Sequence, residues 1–598
     1  MNPPENFAHY PAPKERISEP YVPKKGDNPV LSGFPLVVAS SLVANVGFVA
    51  RHLWHNTGFG TTKDLAVLRD IPSTYHPCVT PLGKTEPMLE VDPKLLSLKH
   101  GKADTRYYSA ADYHEMYRSG KVTPLQVAEM LLGLTSNDSD KDSIYKDAWA
   151  PTHGSDHLAL EAAKASTERY ASGKPLSVLD GVPIGVKDDV PVTGYTCHNG
   201  MAFKAGEKYF EPKTTTAWPV QKLQEAGAIV IGKNRMHELG SDTTGLNASQ
   251  GTPTNHLNTK YYPGGSSSGG GSSLGAGIVP IAVGTDAGGS LRLPSAFNGV
   301  YTLKPSQHRT TFMDSTMCVM GPMAANAADL IVSYRLMSQP NPTCSIQSKF
   351  ALSIPPSPSA KRTIGIYKDW WNAADPRVAD LCNKAVSWFQ KEKGYEVVDI
   401  SLPYLAECQL AHGPTCLAEM AKAARRRVDK PDEFLKLVGY VNKIMLTVGS
   451  QASALDFTAY NSLRTLLMQH CAFLWQKYPG MLIVTPTTPL IGWARQPGHD
   501  AYGSTDGNTS IRNMSYVFVA NMTGTPAASA PVGYVDPEQG EGKLPIGLMA
   551  QGEWGSEEQL LQWTLEAEDY LNNVYEDGRR RPPTWLDVLK DAQETKTA

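Results

Sequence analysis

Two clusters of glycine and serine constrain this chain more than any other feature: positions 264–275 read GGSSSGGGSSLG and positions 284–292 read GTDAGGSLR, on either side of the apolar run IVPIAV. A flexible linker joins polar segments, whereas these clusters bracket a segment that belongs in a core. Glycine permits a left-handed backbone and lets a ligand approach main-chain N–H groups, so such runs build anion or oxyanion sites. The fold must therefore bury an apolar strand and spend the backbone at its two ends on chemistry.

The surrounding text supplies the layers for that. Thr123-Pro124-Leu125-Gln126 reads as a helix start, with Thr123 as N-cap, Pro124 at the first helical position and Gln126 reaching back. Residues 157–171 read as a helix closed near Gly173, Val182 to Val186 as a buried strand ending at Lys187, and Thr216 to Ala226 as a helix feeding the strand AIVIGK. Gly275 to Asp286 reads as a further strand, and IGIYKDW, YEVVDISLP, MLIVTPTTP and PAASAPVGY continue the alternation beyond a linker at Pro355 to Pro358. Helix and strand alternating in this way predict an α/β layered fold with functional loops at strand ends.

Composition removes several function classes. The 598 residues carry 56 Lys plus Arg against 59 Asp plus Glu, a net charge of −3, which gives no general attraction for nucleic acid. The eight cysteines are scattered, without metal-ligand spacing, and read as free thiols in a reducing compartment. The N-terminus lacks the pattern of a secretory signal. Residues 28–50 carry no formal charge, yet Pro29, Gly33, Pro35, Asn45 and Gly47 interrupt them. At helical periodicity Ala39, Leu42, Val43, Val46, Val49, Ala50 and Leu53 share one arc, opposite Ser41, Asn45, His52, His55 and Asn56. One amphipathic helix is expected, resting on its own core, with a helix that meets lipid or an acyl chain and a membrane span as the other readings.

Three chemistries compete for the glycine-serine text. Gly227 to Asn234 nearly fits a P-loop, but Asn234 stands where a hydroxyl should meet magnesium, and the intervening residues are an apolar strand. Gly265 to Gly269 fits a nucleophile elbow centred on Ser267, but the preceding NHLNTKYYPG is no core strand and the last histidine, His499, lies far from the C-terminus. The third reading joins both clusters to Gly181-Val182-Pro183-Ile184-Gly185-Val186-Lys187-Asp188, a strand that carries a lysine to its end.

Together GVPIGVKDD, GGSSSGGG and GTDAGGSLRLPSAFNGVYTLKPS resemble the amidase signature family of Ser-Ser-Lys amide hydrolases, from about residue 110 to 575. SVLDG, AIVIGKNRMHELGSDTTG and YYPGGSSSG are most similar to its plant-type fatty acid amide hydrolase branch. The resemblance implies an α/β fold with one large domain: a mixed β-sheet covered by helices on both faces over residues 106–598, its signature core at 181–310, after an N-terminal helical extension over 1–105. It implies that Ser290 is the acyl-forming nucleophile, Ser266 the bridging serine on a cis peptide, and Lys187 the base. The chemistry agrees, because an unassisted hydroxyl is a poor nucleophile and a lysine serves as base only as the neutral amine, which burial without an acidic partner favours. Asp188 and Asp189 are accordingly expected to turn away from Lys187. Asp286 and Arg292 are expected to brace the loop as a pair, Ser267 and Ser268 to support it, and the backbone N–H groups of Ala287, Gly288, Gly289 and Ser290 to hold the oxyanion. Asn298 and Thr302 depart from the family's usual cysteine and glycine.

The function expected is hydrolysis of a carboxylic amide, of the N-acylethanolamine kind, through a seryl acyl-enzyme, with no cofactor and no metal. A short-chain or aryl amidase, an amidotransferase A-like subunit, a Ser-His-Asp esterase and a catalytically idle binding protein are the alternatives. The partners expected are a small-molecule amide, no nucleic acid, and, as open options, a homodimer and peripheral membrane contact through residues 34–55. The location expected is cytoplasmic, with an intracellular membrane surface as the second option.

Overall fold

The computed structural model describes residues 2–17, 20–23, 28–83, 105–353, 355–357 and 359–594. The domain boundary expected at 105/106 adjoins residues 84–104, and Pro358 of the expected linker also lies outside the described residues. Two short strands, β1 (Phe7–Ala8) and β2 (Thr80–Pro81), pair antiparallel. The main sheet is built from β3 (Pro183–Lys187), β4 (Ile229–Asn234), β5 (Ile281–Asp286), β6 (Tyr301–Lys304) and β7 (Val319–Ala324). It continues with β8 (Thr363–Ile366), β9 (Glu396–Asp399), β10 (Met481–Pro486), β11 (Ala527–Val535) and β12 (Leu544–Gln551). The spatial order is β4-β3-β5-β7-β6-β11-β12-β10-β8-β9. Strands β4, β3 and β5 run parallel at one end and β9, β8 and β10 at the other, joined through antiparallel pairs of β7, β6, β11 and β12.

Alternation along the strands shows why helices cover both faces. On β10, Met481 and Ile483 pack with Leu463, Leu467 and Trp475, while Leu482 and Val484 pack on the opposite face with Phe389, Leu560 and Trp563. A strand buried on both sides reads as a continuous apolar run, as MLIV does. The helix Pro124–Thr135 begins as its sequence predicts: Thr123 Oγ1 accepts the Gln126 N–H (3.2 Å), and Gln126 Oε1 accepts the Thr123 N–H (2.9 Å). The strand expected from Gly275 starts only at Ile281, because Ser268–Gly275 forms a helix.

The N-terminal residues are tied into this sheet domain. Tyr10 Oη donates to Glu553 Oε1 (2.6 Å), and the N–H of Arg16 to His470 Nδ1 (3.0 Å). The single amphipathic helix expected beyond them is two helices, α1 (Gly33–Asn45) and α2 (Gly47–Asn56), broken at extended Val46 and bent by 106°. Both lean on the helix Tyr440–Gly449, so the chain must turn to follow it, and the expected apolar arc splits. Val43 and Ala50 are buried, whereas Leu42 is 50% and Val46 42% exposed. Among the described residues no single helix is long and apolar enough to cross a membrane.

Candidate active site

Strands β3 and β5 are parallel neighbours, with Val186 opposite Val283, so both reach the same edge of the sheet. There β3 delivers Lys187 and β5 delivers Thr285 and Asp286. Lys187 is 1% exposed, and its Nζ stands 2.8 Å from Ser266 Oγ, 2.7 Å from Thr285 Oγ1 and 3.2 Å from the Thr285 carbonyl. The Gly265–Ser266 peptide is cis. The next N–H, of Ser267, donates to the Ser290 carbonyl (3.2 Å), which lays the first glycine-serine cluster against the second. The structure thus brings Lys187, Ser266 and Ser290 to one place, with Ser266 1% and Ser290 7% exposed.

Small residues are what allow this approach. The helix Ser268–Gly275 is buried along its whole length, and a Cβ on Gly269 would collide with the Ala148 carbonyl and the Arg235 backbone. At Gly289 the backbone is left-handed (φ 102°) and a Cβ would sit 2.5 Å from Val517 Cγ2, so glycine is required twice over. The departure at Asn298 has a local purpose: its Nδ2 donates to the carbonyls of Pro263 (2.7 Å) and Pro294 (2.8 Å), stitching the first loop to the helix Arg292–Asn298. Thr302 Oγ1 similarly donates to the Pro322 carbonyl at 2.8 Å.

Asp286 and Arg292 pair as expected. Arg292 Nε and Nη2 each donate to the Asp286 carboxylate at 3.0 Å, and both side chains are fully buried. Asp286 also accepts the N–H groups of Gly289 (2.7 Å) and Leu291 (3.1 Å) and the Asn521 Nδ2 (2.9 Å). Burial opposes its charge, but the Arg292 guanidinium holds its carboxyl well below the usual carboxylate range. The bond from Gly289 corrects the expected oxyanion set. That N–H is engaged by Asp286, because the carboxylate lies inside the turn, and Ala287, Gly288 and Ser290 are left as the expected donors.

The two aspartates after Lys187 behave differently. Asp188 turns away as expected, taking the N–H groups of His198 (3.0 Å) and Gly200 (2.9 Å). Burial opposes its charge too, and the His198 contact holds its carboxyl low. Asp189 does not turn away: its Oδ2 is 3.7 Å from Lys187 Nζ and accepts the Thr285 hydroxyl at 2.6 Å. The strand ends at Lys187, and the turn that follows carries Asp189 back beside Thr285 of β5, whose hydroxyl holds it there. Ser267 Oγ and Ser268 Oγ donate to the carbonyls of Thr285 and Arg235 (each 3.4 Å), the supporting contacts expected of them.

Three groups have no warning in the motif text. His412, in the helix Leu405–Arg425, meets the Ala287 carbonyl through Nε2 (2.8 Å) and closes against Gly288, where a Cβ would lie 2.8 Å from its Cε1. Burial pushes its imidazole down to about 4, so it is neutral near pH 7. Asn521 bridges Asp286 and Arg292 from a helix far along the chain. Lys304, at the end of β6, is buried with its Nζ on the Pro305 carbonyl (2.8 Å); burial, then the charge of Arg292, push it down to about 7. Lys304 sits inside the recognised LKPS text, but nothing there signals its burial. His412 and Asn521 lie in segments without motif. Among the described residues no group of three or more His, Cys, Asp or Glu is placed to hold a metal ion.

Comparison with known proteins adds independent findings. The family model described as Amidase matches residues 146–561. The chain is 32% identical to a fatty acid amide hydrolase of Medicago truncatula, covering 85% of this chain and 84% of that protein. It is 30% identical to a fatty acid amide hydrolase of Arabidopsis thaliana with the same coverage, 85% and 84%. Among solved structures, a bacterial aryl acylamidase of the amidase signature enzymes superposes with TM-score 0.65 at 19% identity, over 82% of this chain and 99% of that one, a likeness of fold.

Proposed function

The chain belongs to the amidase signature family and is a hydrolase of amide bonds, and from that premise we propose that it works through Ser290, Ser266 and Lys187 on fatty acid amides. The observation that carries the mechanism is the contact of 2.8 Å between Lys187 Nζ and Ser266 Oγ, in a buried cluster that also holds Ser290. The amine of Lys187 takes the Ser266 proton as Ser266 takes that of Ser290, and Ser290 Oγ attacks the amide carbon. The N–H groups of Ala287, Gly288 and Ser290 receive the oxyanion. The proton returns through Ser266 to the leaving nitrogen, which departs as amine, and water cleaves the acyl-enzyme by the same relay. Of the nearby imidazoles, His237 lies 3.5 Å from Thr244 Oγ1 through Nδ1, and His412 meets the Ala287 carbonyl through Nε2 at 2.8 Å. Ser290→Ala is expected to abolish turnover and labelling by a serine-reactive fluorophosphonate, while Ser267→Ala keeps both. Labelling retained in Ser290→Ala and lost in Ser267→Ala would return the elbow centred on Ser267.

The substrate reading rests on the names of the two plant relatives and on the greasy surface of α1 and α2, where Phe34 is 72% and Phe48 73% exposed. Such an edge suits peripheral contact with a lipid surface from which a long-chain amide is taken. Each methylene buried is worth about 0.8 kcal/mol, so kcat/KM for acyl ethanolamides is expected to climb steeply with chain length before levelling. A flat or falling series would mark a short-chain amidase instead.

A further inference from the structure

Lys187 has an acidic neighbour where a neutral amine should have none, and the hydrogen positions around it give that neighbour a purpose. The Thr285 hydroxyl has one hydrogen, and it goes to Asp189 Oδ2 at 2.6 Å. The other carboxylate oxygen, Oδ1, is buried and unbonded, so among the described residues this hydroxyl is the donor the carboxylate holds. With its hydrogen committed, Thr285 Oγ1 can only accept from Lys187 Nζ, 2.7 Å away. The Thr285 carbonyl, 3.2 Å away, accepts by nature. A neutral amine has two N–H bonds and one lone pair. Both N–H bonds are claimed by Thr285, and Asp189 Oδ2, 3.7 Å from Nζ, is beyond hydrogen-bond reach, so the lone pair faces Ser266 Oγ at 2.8 Å.

We infer that Asp189 is a positioning residue: by fixing the hydrogen of Thr285 it turns the lone pair of Lys187 onto Ser266. Without Asp189 the Thr285 hydroxyl is free to rotate and donate its own hydrogen to that lone pair. Ser266 then faces an N–H bond and its proton has no acceptor, so the enzyme spends part of its time in a state that cannot begin the relay. Asp189 moves no proton itself and touches no substrate. Its side chain is 20% exposed against 2% for Lys187, at the rim of the buried cluster. The inference rests on the Ser290, Ser266 and Lys187 reading above.

The test is kcat and KM on one amide for Asp189→Ala, Asp189→Asn, Thr285→Val, Thr285→Ser and the double variant Asp189→Ala with Thr285→Val, each checked for folding by its thermal melt. Asp189→Ala is expected to lose about tenfold to a hundredfold in kcat with KM little changed. Asp189→Asn, which keeps an acceptor for the Thr285 hydrogen, is expected to recover most of that loss. Thr285→Ser, which keeps the hydroxyl, is expected to lose much less in kcat than Thr285→Val. Once Thr285→Val has removed the hydroxyl, deleting Asp189 is expected to cost little more, so the double variant should match Thr285→Val. Fully additive losses, or Asp189→Asn as damaged as Asp189→Ala, would overturn the inference. Should Lys187→Ala or Ser290→Ala remain active, the underlying reading fails instead, whatever the Asp189 variants do.

Discussion

The wall of the site and the pair α1–α2 handle apolar and polar groups in opposite ways. At the wall, Lys187, Asp286 and Arg292 are buried polar groups, each enclosed by partners within hydrogen-bond reach, and glycine stands where any Cβ would strike backbone or a packed side chain. In α1–α2, Phe34, Leu42, Val46 and Phe48 are apolar groups left in solvent. The first arrangement is costly to alter because every member is another member's partner. The second is cheap to alter in the folded protein, and its surface acquires meaning only against something outside the chain. Geometric crowding marks the buried polar cluster here, and exposed apolar rings mark the surface proposed to meet lipid.

That contrast can be broken by experiment. The largest expected effect is at Lys187: Lys187→Ala should lower amide hydrolysis by about two to four orders of magnitude with the fold retained. A histidine variant that is equally damaging while folded would break the scheme. Next is the brace behind Ser290. Arg292→Leu leaves the Asp286 carboxylate buried and unpaired, which should cost about 3–5 kcal/mol in denaturant unfolding. Asp286→Asn with Arg292→Leu should recover part of that; equal loss in the single and double variants would mean the charge is not the cause.

A third effect depends on pH. His412 ordinarily takes a proton near pH 6.5 but is held down to about 4 in the fold by burial. Between those values the unfolded chain binds a proton that the native state refuses. Stability is therefore full above about pH 6.5 and falls as pH drops toward 4, by roughly 3 kcal/mol for this group. Thermal melts of the parent and of His412→Gln across that window should show a shallower acid loss in the variant, and parallel curves would remove His412 from the account. The smallest effect on stability is on the other region. Phe34→Ser with Phe48→Ser should change folding by no more than about 0.5 kcal/mol, yet lower sedimentation with phospholipid vesicles severalfold. Unchanged vesicle binding would end the lipid reading, and a large loss of stability would show that these rings belong to the core after all.

The same contrast explains what could be read from the residues. GVPIGVK, GGSSSGGG and GTDAGGSLR were legible because each is a local solution to a local demand: a strand that ends on a lysine, or a backbone with no room for a side chain. The helix start at Thr123 and the strands IVIGK, MLIV and AASAPVGY were legible for the same reason, since capping and apolar runs act over a few residues. The direction of Asp189 is not legible in the residues, because it depends on the turn after β3 and on Thr285 from another strand. The α1–α2 break is not legible either, because periodicity describes a straight helix, and the bend at Val46 comes from following the helix Tyr440–Gly449.

By itself, the sequence determined the α/β class, the strand that presents Lys187, the close backbone approach at the two glycine-serine clusters and the brace of Asp286 with Arg292, because these are set by residue type at short range. Only the tertiary structure decided that β3 and β5 lie side by side, so that Lys187 meets Ser266 and Thr285. It alone brought His412 and Asn521 from remote helices to the turn at Asp286–Ser290 and left Gly289 facing Asp286. The physical reason is that hydrogen bonds and packing act through space, and the order of strands in a sheet is fixed by the burial of both its faces, which is not written at any one position along the chain.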